Sequence, residues 1–217
     1  IGVVPIAMTK SMIDEIVEAF ATAARRCESS GLDGVDFHCG HGYLPSQFLS
    51  ANTNLRDDDY GGSFENRVRF LLETTQAVRA VWPQHLPLTV RLSCTDWIEG
   101  GWTIDESVEL AKRLKAEGVD LIDCSSGGGA AHAKIPVAPG YQVPFAERIR
   151  REAGIATAAV GLITQAHQAE DIIQRGQADI VLLAREVLRD PYWPAHAARE
   201  LGDPKQMTPP VQYARAW

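Results

Sequence analysis

The chain has 217 residues, of which 45% are hydrophobic and 23% are charged, as in an ordinary folded domain with a sizeable core. Its formal net charge of -7 argues against nucleic acid or an anionic membrane as the main partner. No apolar run approaches the roughly 20 residues that span a bilayer, no secretory signal is visible, and the four cysteines show no CxxC spacing. We therefore expect a reduced, cytoplasmic protein.

Helical and strand patterns alternate along the chain. The first helix is predicted from Ser11, which resembles a capping box with Asp14, to a stop at Gly31. After it, strands are predicted at 34–38, 86–93, 119–126, 156–161 and 178–184, and helices at 64–82, 104–118, 141–154 and 165–176. A last helical segment is interrupted by Pro191 and Pro194. No linker is visible, so a single domain is expected over 1–217.

Strands that are each followed by a helix pair in parallel, either in a doubly wound sheet or in a (β/α)8 barrel. The strand at 86–93 places apolar residues on one face and Thr89, Arg91 and Ser93 on the other. A polar face favours a barrel interior, because strands of an open parallel sheet are apolar on both faces. We expect an α/β fold, a (β/α)8 TIM barrel with only the last five units in this chain. A complete barrel has eight strands, so about three upstream strands should exist or have been removed.

Two histidines, His38 and His41, stand where the first strand pattern ends, and Tyr43 follows them. Three interpretations are open: the histidines could bind a metal, pack as structural polar residues, or donate hydrogen bonds to one oxygen that carries negative charge. No paired ligand spacing supports a metal. In the third interpretation the Tyr43 hydroxyl could deliver a proton beside them.

Further polar residues fall at the carboxyl ends of the other strands, where barrel active sites lie. Arg91 could form a salt bridge with Asp36 or Asp123, or it could place a positive charge beside an anionic ligand. Gly161 and Arg185 follow the last two strands, where barrels often bind phosphate.

Several segments carry a recognisable resemblance. "HCGHGYLPSQFLSANTNLRDDDYGGSFENRVRF" resembles the signature of the old yellow enzyme family of FMN-dependent ene-reductases. "DLIDCSSGG", "PGYQVPFAERIR", "AVGLIT", "AREVLRDPYW" and "PVQYARAW" are similar to its bacterial, thermophilic-like NADPH dehydrogenase subclass. The resemblance covers nearly the whole chain and implies the C-terminal part of such an enzyme.

The resemblance also implies roles for individual residues. His38 and His41 would bind the carbonyl or nitro oxygen of the substrate, and Tyr43 would donate the proton. The implied FMN-binding residues are Arg91 beside the flavin N1 and O2 edge, Ser125 and Ser126 near the ribityl and phosphate groups, and Val160, Gly161, Ala184 and Arg185 around the phosphate. Ala184 departs from the glycine that is usual in the family. Arg215 would reach the active site of the neighbouring subunit in a homodimer or homotetramer.

The implied activity is the ping-pong reduction of activated alkenes, such as enones and nitroalkenes, by NADPH through FMN, with no metal. Three alternative functions remain open. They are another FMN-dependent barrel reductase, a metal-dependent barrel hydrolase that uses His38 and His41, and a non-catalytic, incomplete barrel.

Overall fold

A single parallel sheet organises the protein, which a computed structural model describes over residues 6–216. Trp217, the last residue of the resembling segments, and residues 1–5 of the expected domain lie outside that range. The strands are β1 (Val35–Cys39), β2 (Leu88–Ser93), β3 (Leu121–Ser125), β4 (Ala156–Ala159) and β5 (Ile180–Val181). They lie side by side in chain order. Doubly wound sheets reverse their strand order, so this sequential order is that of consecutive barrel strands and confirms the predicted fold class.

Helices alternate with the strands, as predicted, although the short helix at Leu44–Leu49 lies where a loop was expected. The helices are α1 (Lys10–Ser29), α2 (Leu44–Leu49), α3 (Phe64–Val81), α4 (Ile104–Ala116), α5 (Val143–Ala153), α6 (Ala166–Gln174), α7 (Arg185–Arg189) and α8 (Trp193–Glu200). Short 3-10 turns follow at Pro204–Gln206 and Val211–Ala216. Among the described residues, no helix is long and apolar enough to cross a membrane.

The predicted start of α1 is wrong by two residues. Thr9 caps the helix, and its hydroxyl accepts a hydrogen bond from the Met12 amide at 3.3 Å. Ser11 already lies inside the first turn, where its hydroxyl donates to Glu15. Asp14 pairs instead with Lys10 one turn before it. A hydroxyl followed by an acid three residues later is therefore not enough to identify a capping box.

The two faces of the sheet differ as the alternation of residues requires. Leu88, Val90 and Leu92 of β2 are fully buried against the helices, and Ile122 and Cys124 of β3 continue this apolar layer. On the opposite, inner face the strand register aligns polar residues in rows across the sheet. One such row contains His38, Arg91 and Asp123. The sheet thus separates a hydrophobic core from a polar face that leads to the loops at its carboxyl edge.

The last strand is much shorter than the predicted 178–184. Only Ile180 and Val181 form strand β5, although the Leu182 amide still donates to the Ala159 carbonyl at 2.8 Å. The following residues leave the sheet and turn into α7. Hydrophobic character alone therefore overestimated the paired length.

Candidate active site

The end of β1 gathers three of the four residues predicted to act on the substrate, His38, His41 and Tyr43; the fourth is Arg215. The rings of His38 and His41 stack with centroids 5.2 Å apart and an angle of 23° between their planes. The Tyr43 ring meets His38 edge-on at 5.5 Å, and 65% of Tyr43 is exposed. Two imidazoles and a phenol thus share one solvent-accessible corner at the carboxyl edge of the sheet.

Ser93 and the loop that follows β3 fix the position of the loop that carries these residues. The Ser93 hydroxyl accepts a hydrogen bond from the His41 amide at 2.8 Å and donates to the Gly127 carbonyl at 2.8 Å. A Cβ atom on Gly42 would lie 2.7 Å from the Gly128 carbonyl oxygen, and one on Gly128 would lie 2.5 Å from the His41 Cα atom. His41 itself has a left-handed backbone, with φ of 58°. The histidine loop is therefore packed backbone to backbone against the loop that follows β3.

Burial keeps both histidines neutral at physiological pH. The pKa of His38 is lowered from its ordinary value of 6.5, mainly by desolvation and then by the positive charge of Arg91, although the Asp36 carboxylate acts in the opposite direction. The pKa of His41 is lowered by desolvation, by Arg91 and by His38. A neutral imidazole has a single N–H group, so each ring can donate one hydrogen bond.

Arg91 has an anionic partner on the inner face of the sheet. Its guanidinium lies 3.2 Å from the Asp123 carboxylate, whereas the Asp36 carboxylate accepts a hydrogen bond from Thr89 at 2.6 Å. Of the two salt bridges that the sequence left open, the structure forms the one with Asp123. Arg91 Nε is nevertheless a buried donor without a hydrogen-bond partner among the described residues. Arg91 thus keeps an unused donor.

Burial of the Asp123 carboxyl group lowers the stability of the folded protein by an amount that depends on pH. Its side chain is 4% exposed, and desolvation raises its pKa to about 6, with a further increase from Asp36 and an opposing decrease from Arg91. An unfolded aspartate titrates near 3.8, so the folded state binds more protons between these values and its stability falls as the pH rises from about 4 to 6.

We therefore expect Asp123→Asn to resemble the wild type in stability near pH 4 and to exceed it at pH 7 by up to about 3 kcal/mol, because asparagine stays neutral. Urea unfolding at both pH values measures the difference. Asp33→Asn, at an exposed position, is the control and should show no such dependence on pH. A variant that loses stability at pH 7 would contradict the balance of burial and pairing described above.

A pocket of about 250 Å³ opens beside this ion pair at the carboxyl ends of β3, β4 and β5. Its lining includes six of the seven predicted cofactor residues: Arg91, Ser125, Val160, Gly161, Ala184 and Arg185. Ser126, the seventh, is buried next to it. Residues from four strands or their following loops are thus brought to one site, as expected for the ends of parallel barrel strands.

Gly161 and Arg185 line this pocket and are suited to binding an anionic group. Gly161 has φ of 126°, and an added Cβ atom would lie 3.1 Å from Gln142 Nε2, so a side chain would be strained and crowded there. Arg185 is exposed and forms no ion pair within the described part of the chain, whereas Arg189 is bound to Glu186 at 3.1 Å. Ala184 has φ of -116°, so its backbone does not need the glycine that is usual in the family.

Gln142 is a site residue that sequence reasoning missed. It is 3% exposed, its Oε1 accepts from the Ser126 hydroxyl at 2.6 Å, and its Nε2 donates to the Val160 carbonyl at 3.2 Å. It connects the end of β3 to the end of β4 and lines the pocket. The available signal was its position inside the "PGYQVPF" segment, directly before α5.

Trp102 and the predicted Arg215 do not line this pocket. Trp102 is 2% exposed, stacks on Phe64 and donates to Ser107 at 2.7 Å, so it belongs to the core. Arg215 lies in the exposed C-terminal 3-10 turn and is not among the residues that line the pocket. Within the described range, no three His, Cys, Asp or Glu side chains are grouped as a metal site requires, so the metal interpretation of His38 and His41 has no third ligand there.

Consecutive parallel strands with a pocket and a histidine pair at their carboxyl ends define a (β/α) barrel protein whose candidate site lies at that edge. Comparison with known proteins gives the particular family. The chain belongs to the NADH:flavin oxidoreductase / NADH oxidase family, whose model matches residues 2–203. This match confirms the resemblance seen in the sequence motifs.

Individual relatives agree with this assignment. The chain is 55% identical over 213 residues to the NADPH dehydrogenase of Geobacillus sp. (strain WCH70), with 98% of this chain and 61% of that protein covered. Among solved structures, a 2-naphthoyl-CoA reductase in complex with 2-naphthoyl-CoA matches with a TM-score of 0.83 at 33% identity, over 92% of this chain and 31% of the other. Morphinone reductase in complex with tetrahydroNAD matches with a TM-score of 0.73 at 27% identity, over 96% and 54%. The chain therefore spans about three fifths of the length of the curated relatives it matches.

Proposed function

We propose that this chain forms the cofactor-binding and substrate-binding end of an FMN-dependent NADPH oxidoreductase that reduces activated C=C bonds. The observation that carries the proposal is the shared location of two sites. The histidine pair with Tyr43 and the anion-type pocket lie at the same edge of the sheet, and Ser125 belongs to both, since it lines the pocket and contacts His41 at 2.7 Å. The NADPH dehydrogenases among the relatives support the reaction class.

The residues present fit a phosphate-bearing flavin. Arg185 offers a cation that has no ion pair among the described residues, and Gly161 lines the same end of the pocket with a backbone that only glycine adopts without strain. This end therefore suits the phosphate, with the Val160 and Ala184 backbone beside it. Arg91 offers its unpartnered, buried Nε donor for the flavin ring. When bound, FMN supplies the hydride chemistry, and the protein supplies binding, orientation and electrostatics.

The histidine corner provides the remaining chemistry. Neutral His38 and His41 donate hydrogen bonds to the carbonyl or nitro oxygen that activates the alkene, and this contact stabilises negative charge as it develops on that oxygen. Tyr43, exposed beside them, gives its phenolic proton to the α-carbon. The substrate class is accordingly a small enone or nitroalkene that combines a polar oxygen with a planar carbon skeleton.

NADPH and the alkene use this corner in turn, so the two half-reactions are separate. The complex of morphinone reductase with tetrahydroNAD supports a nicotinamide ligand on this fold. The tail around Arg215 is exposed, and we place its guanidinium in the pocket of a second copy in a homodimer or homotetramer.

Titration of the purified protein with FMN, followed by flavin fluorescence, tests the cofactor assignment. Arg185→Ala should weaken FMN binding by roughly 10-fold or more, because a charge-assisted hydrogen bond to phosphate is lost, at about 1.5–3 kcal/mol. Arg175→Ala removes an exposed arginine of the 166–176 region and is the matched control. It should leave the dissociation constant unchanged.

The same titration distinguishes the ways in which the proposal could fail. A protein that binds no FMN would refute the proposed cofactor. A protein that binds FMN equally well with and without Arg185 would keep the cofactor and refute the location of the phosphate. Reduction of the bound flavin by NADPH, followed by absorbance, then tests the oxidoreductase class itself.

A further inference from the structure

The closest hydrogen-bond partner of the His41 ring is a serine two strands away in the sheet. His41 Nε2 lies 2.7 Å from the Ser125 hydroxyl, at the end of β3. Ser125 is 3% exposed, so water does not compete freely for this contact. A neutral imidazole has one proton and a hydroxyl has one proton. The direction of this single hydrogen bond therefore decides which ring nitrogen of His41 carries the proton.

The orientation of the Gln142 amide determines which hydrogen-bond acceptors the Ser125 hydroxyl can reach. The Val160 carbonyl can only accept, so the Gln142 amide nitrogen, 3.2 Å away, must face it and the Gln142 oxygen must face the two serines. Ser126 occupies that oxygen with a hydrogen bond of 2.6 Å. The Ser125 hydroxyl is 3.4 Å from the same oxygen, which is well beyond the normal range for two oxygens of about 2.5–3.0 Å.

The strong acceptor within reach of the Ser125 proton is therefore His41 Nε2. If Ser125 donates to Nε2, a neutral His41 carries its proton on Nδ1, a nitrogen without a hydrogen-bond partner among the described residues. The position of the ring does not depend on this bond alone. Ser93 holds the His41 backbone separately, and the ring also stacks on His38.

We propose that Ser125 is a positioning residue that fixes His41 as the Nδ1–H tautomer. The consequence for chemistry rests on the proposed function: because the ring is neutral, this tautomer leaves it one free donor for a substrate oxygen. With the opposite tautomer the only N–H of His41 would be consumed by Ser125, and His38 alone could donate. The pocket serine is thus assigned a role toward the substrate side as well as toward the cofactor.

The tautomer can be observed directly by NMR of protein with ¹⁵N-labelled histidine, from the two-bond and three-bond correlations of the His41 ring near pH 7.5. His41→Gln identifies its signals. We expect a protonated Nδ1 and an unprotonated Nε2 in the wild type. Ser125→Ala should convert His41 to the Nε2–H tautomer, and Ser125→Thr, which keeps the hydroxyl, should restore Nδ1–H.

Ser46→Ala is the control, because it removes a serine hydroxyl that binds the Tyr43 carbonyl on the same loop, 2.8 Å away, and it should leave the tautomer unchanged. An Nε2–H tautomer in the wild type overturns the proposal, even if Ser125→Ala does not fold, and so does Nδ1–H in Ser125→Ala. The measurement needs neither flavin nor turnover. Failure to bind FMN would therefore refute the proposed function and leave this test intact.

Discussion

Tyr43→Phe is expected to slow alkene reduction by about 10²–10⁴-fold and to leave reduction of the bound flavin by NADPH unchanged, because only the alkene step needs the phenolic proton. The Tyr43 hydroxyl makes no hydrogen bond within the described residues, and 65% of the side chain is exposed. Its removal therefore leaves no buried group unsatisfied, and the fold should be unaffected. Stopped-flow absorbance of each half-reaction, with 2-cyclohexenone as the alkene, measures the two rates separately.

Tyr60→Phe provides the matched control for loss of a phenolic hydroxyl. Tyr60 is 4% exposed, donates to Glu73 at 2.8 Å and packs in a buried cluster with Ile13 of α1 and Phe70 of α3. It should alter stability more than either rate. If Tyr43→Phe slowed both half-reactions equally, Tyr43 would have a structural role and not the proposed role of proton donor.

His38→Ala is expected to lower the rate of alkene reduction by about 10²–10³-fold, the usual effect of removing one donor to a developing oxyanion. Phenolic ligands should bind more weakly for the same reason, while FMN affinity should change little. His167→Ala, which removes a 71% exposed histidine on α6, is the control and should leave both quantities unchanged. Unchanged affinity for p-hydroxybenzaldehyde in His38→Ala would show that the pair does not bind the oxygen.

The pH dependence of His38 has a definite sign. Burial lowers its pKa below the unfolded value of 6.5, so the unfolded chain binds more protons just below that pH. The protein should lose stability as the pH falls through 6.5, and His38→Ala should weaken this dependence. The Asp123 carboxyl has the opposite effect, because it makes the protein less stable as the pH rises from about 4 to 6. His38→Ala and Asp123→Asn should therefore change the pH dependence of stability in opposite directions.

The sequence predicted the sheet and the composition of its two faces because both depend on local periodicity. Alternation along β2 placed Leu88, Val90 and Leu92 against the helices and Arg91 on the inner face, and the structure has this arrangement. The parallel pairing followed from the helix after each strand. What the alternation could not predict was where pairing stops, as the two-residue β5 shows.

Side-chain partners were harder to predict than positions. The sequence left Arg91 a choice between Asp36 and Asp123. In the strand register Asp123 stands level with Arg91 on β3, whereas Asp36 stands level with Thr89, two residues earlier, on β1. Only the geometry selects Asp123. Gln142 escaped notice because a polar residue before a helix normally faces solvent, and its burial arises from contacts with two other loops that are distant in sequence.

The interlocked glycines of the histidine loop have a consequence for engineering and for divergence within the family. A Cβ atom on Gly42 would collide with the Gly128 carbonyl, and a Cβ atom on Gly128 would collide with the His41 backbone. A designer who grafts a new histidine loop from a relative must therefore graft the loop after β3 with it, or the two will collide. Variation at these two segments should be inherited as a unit, so recombination between relatives will yield folded chimeras more often when both come from one parent.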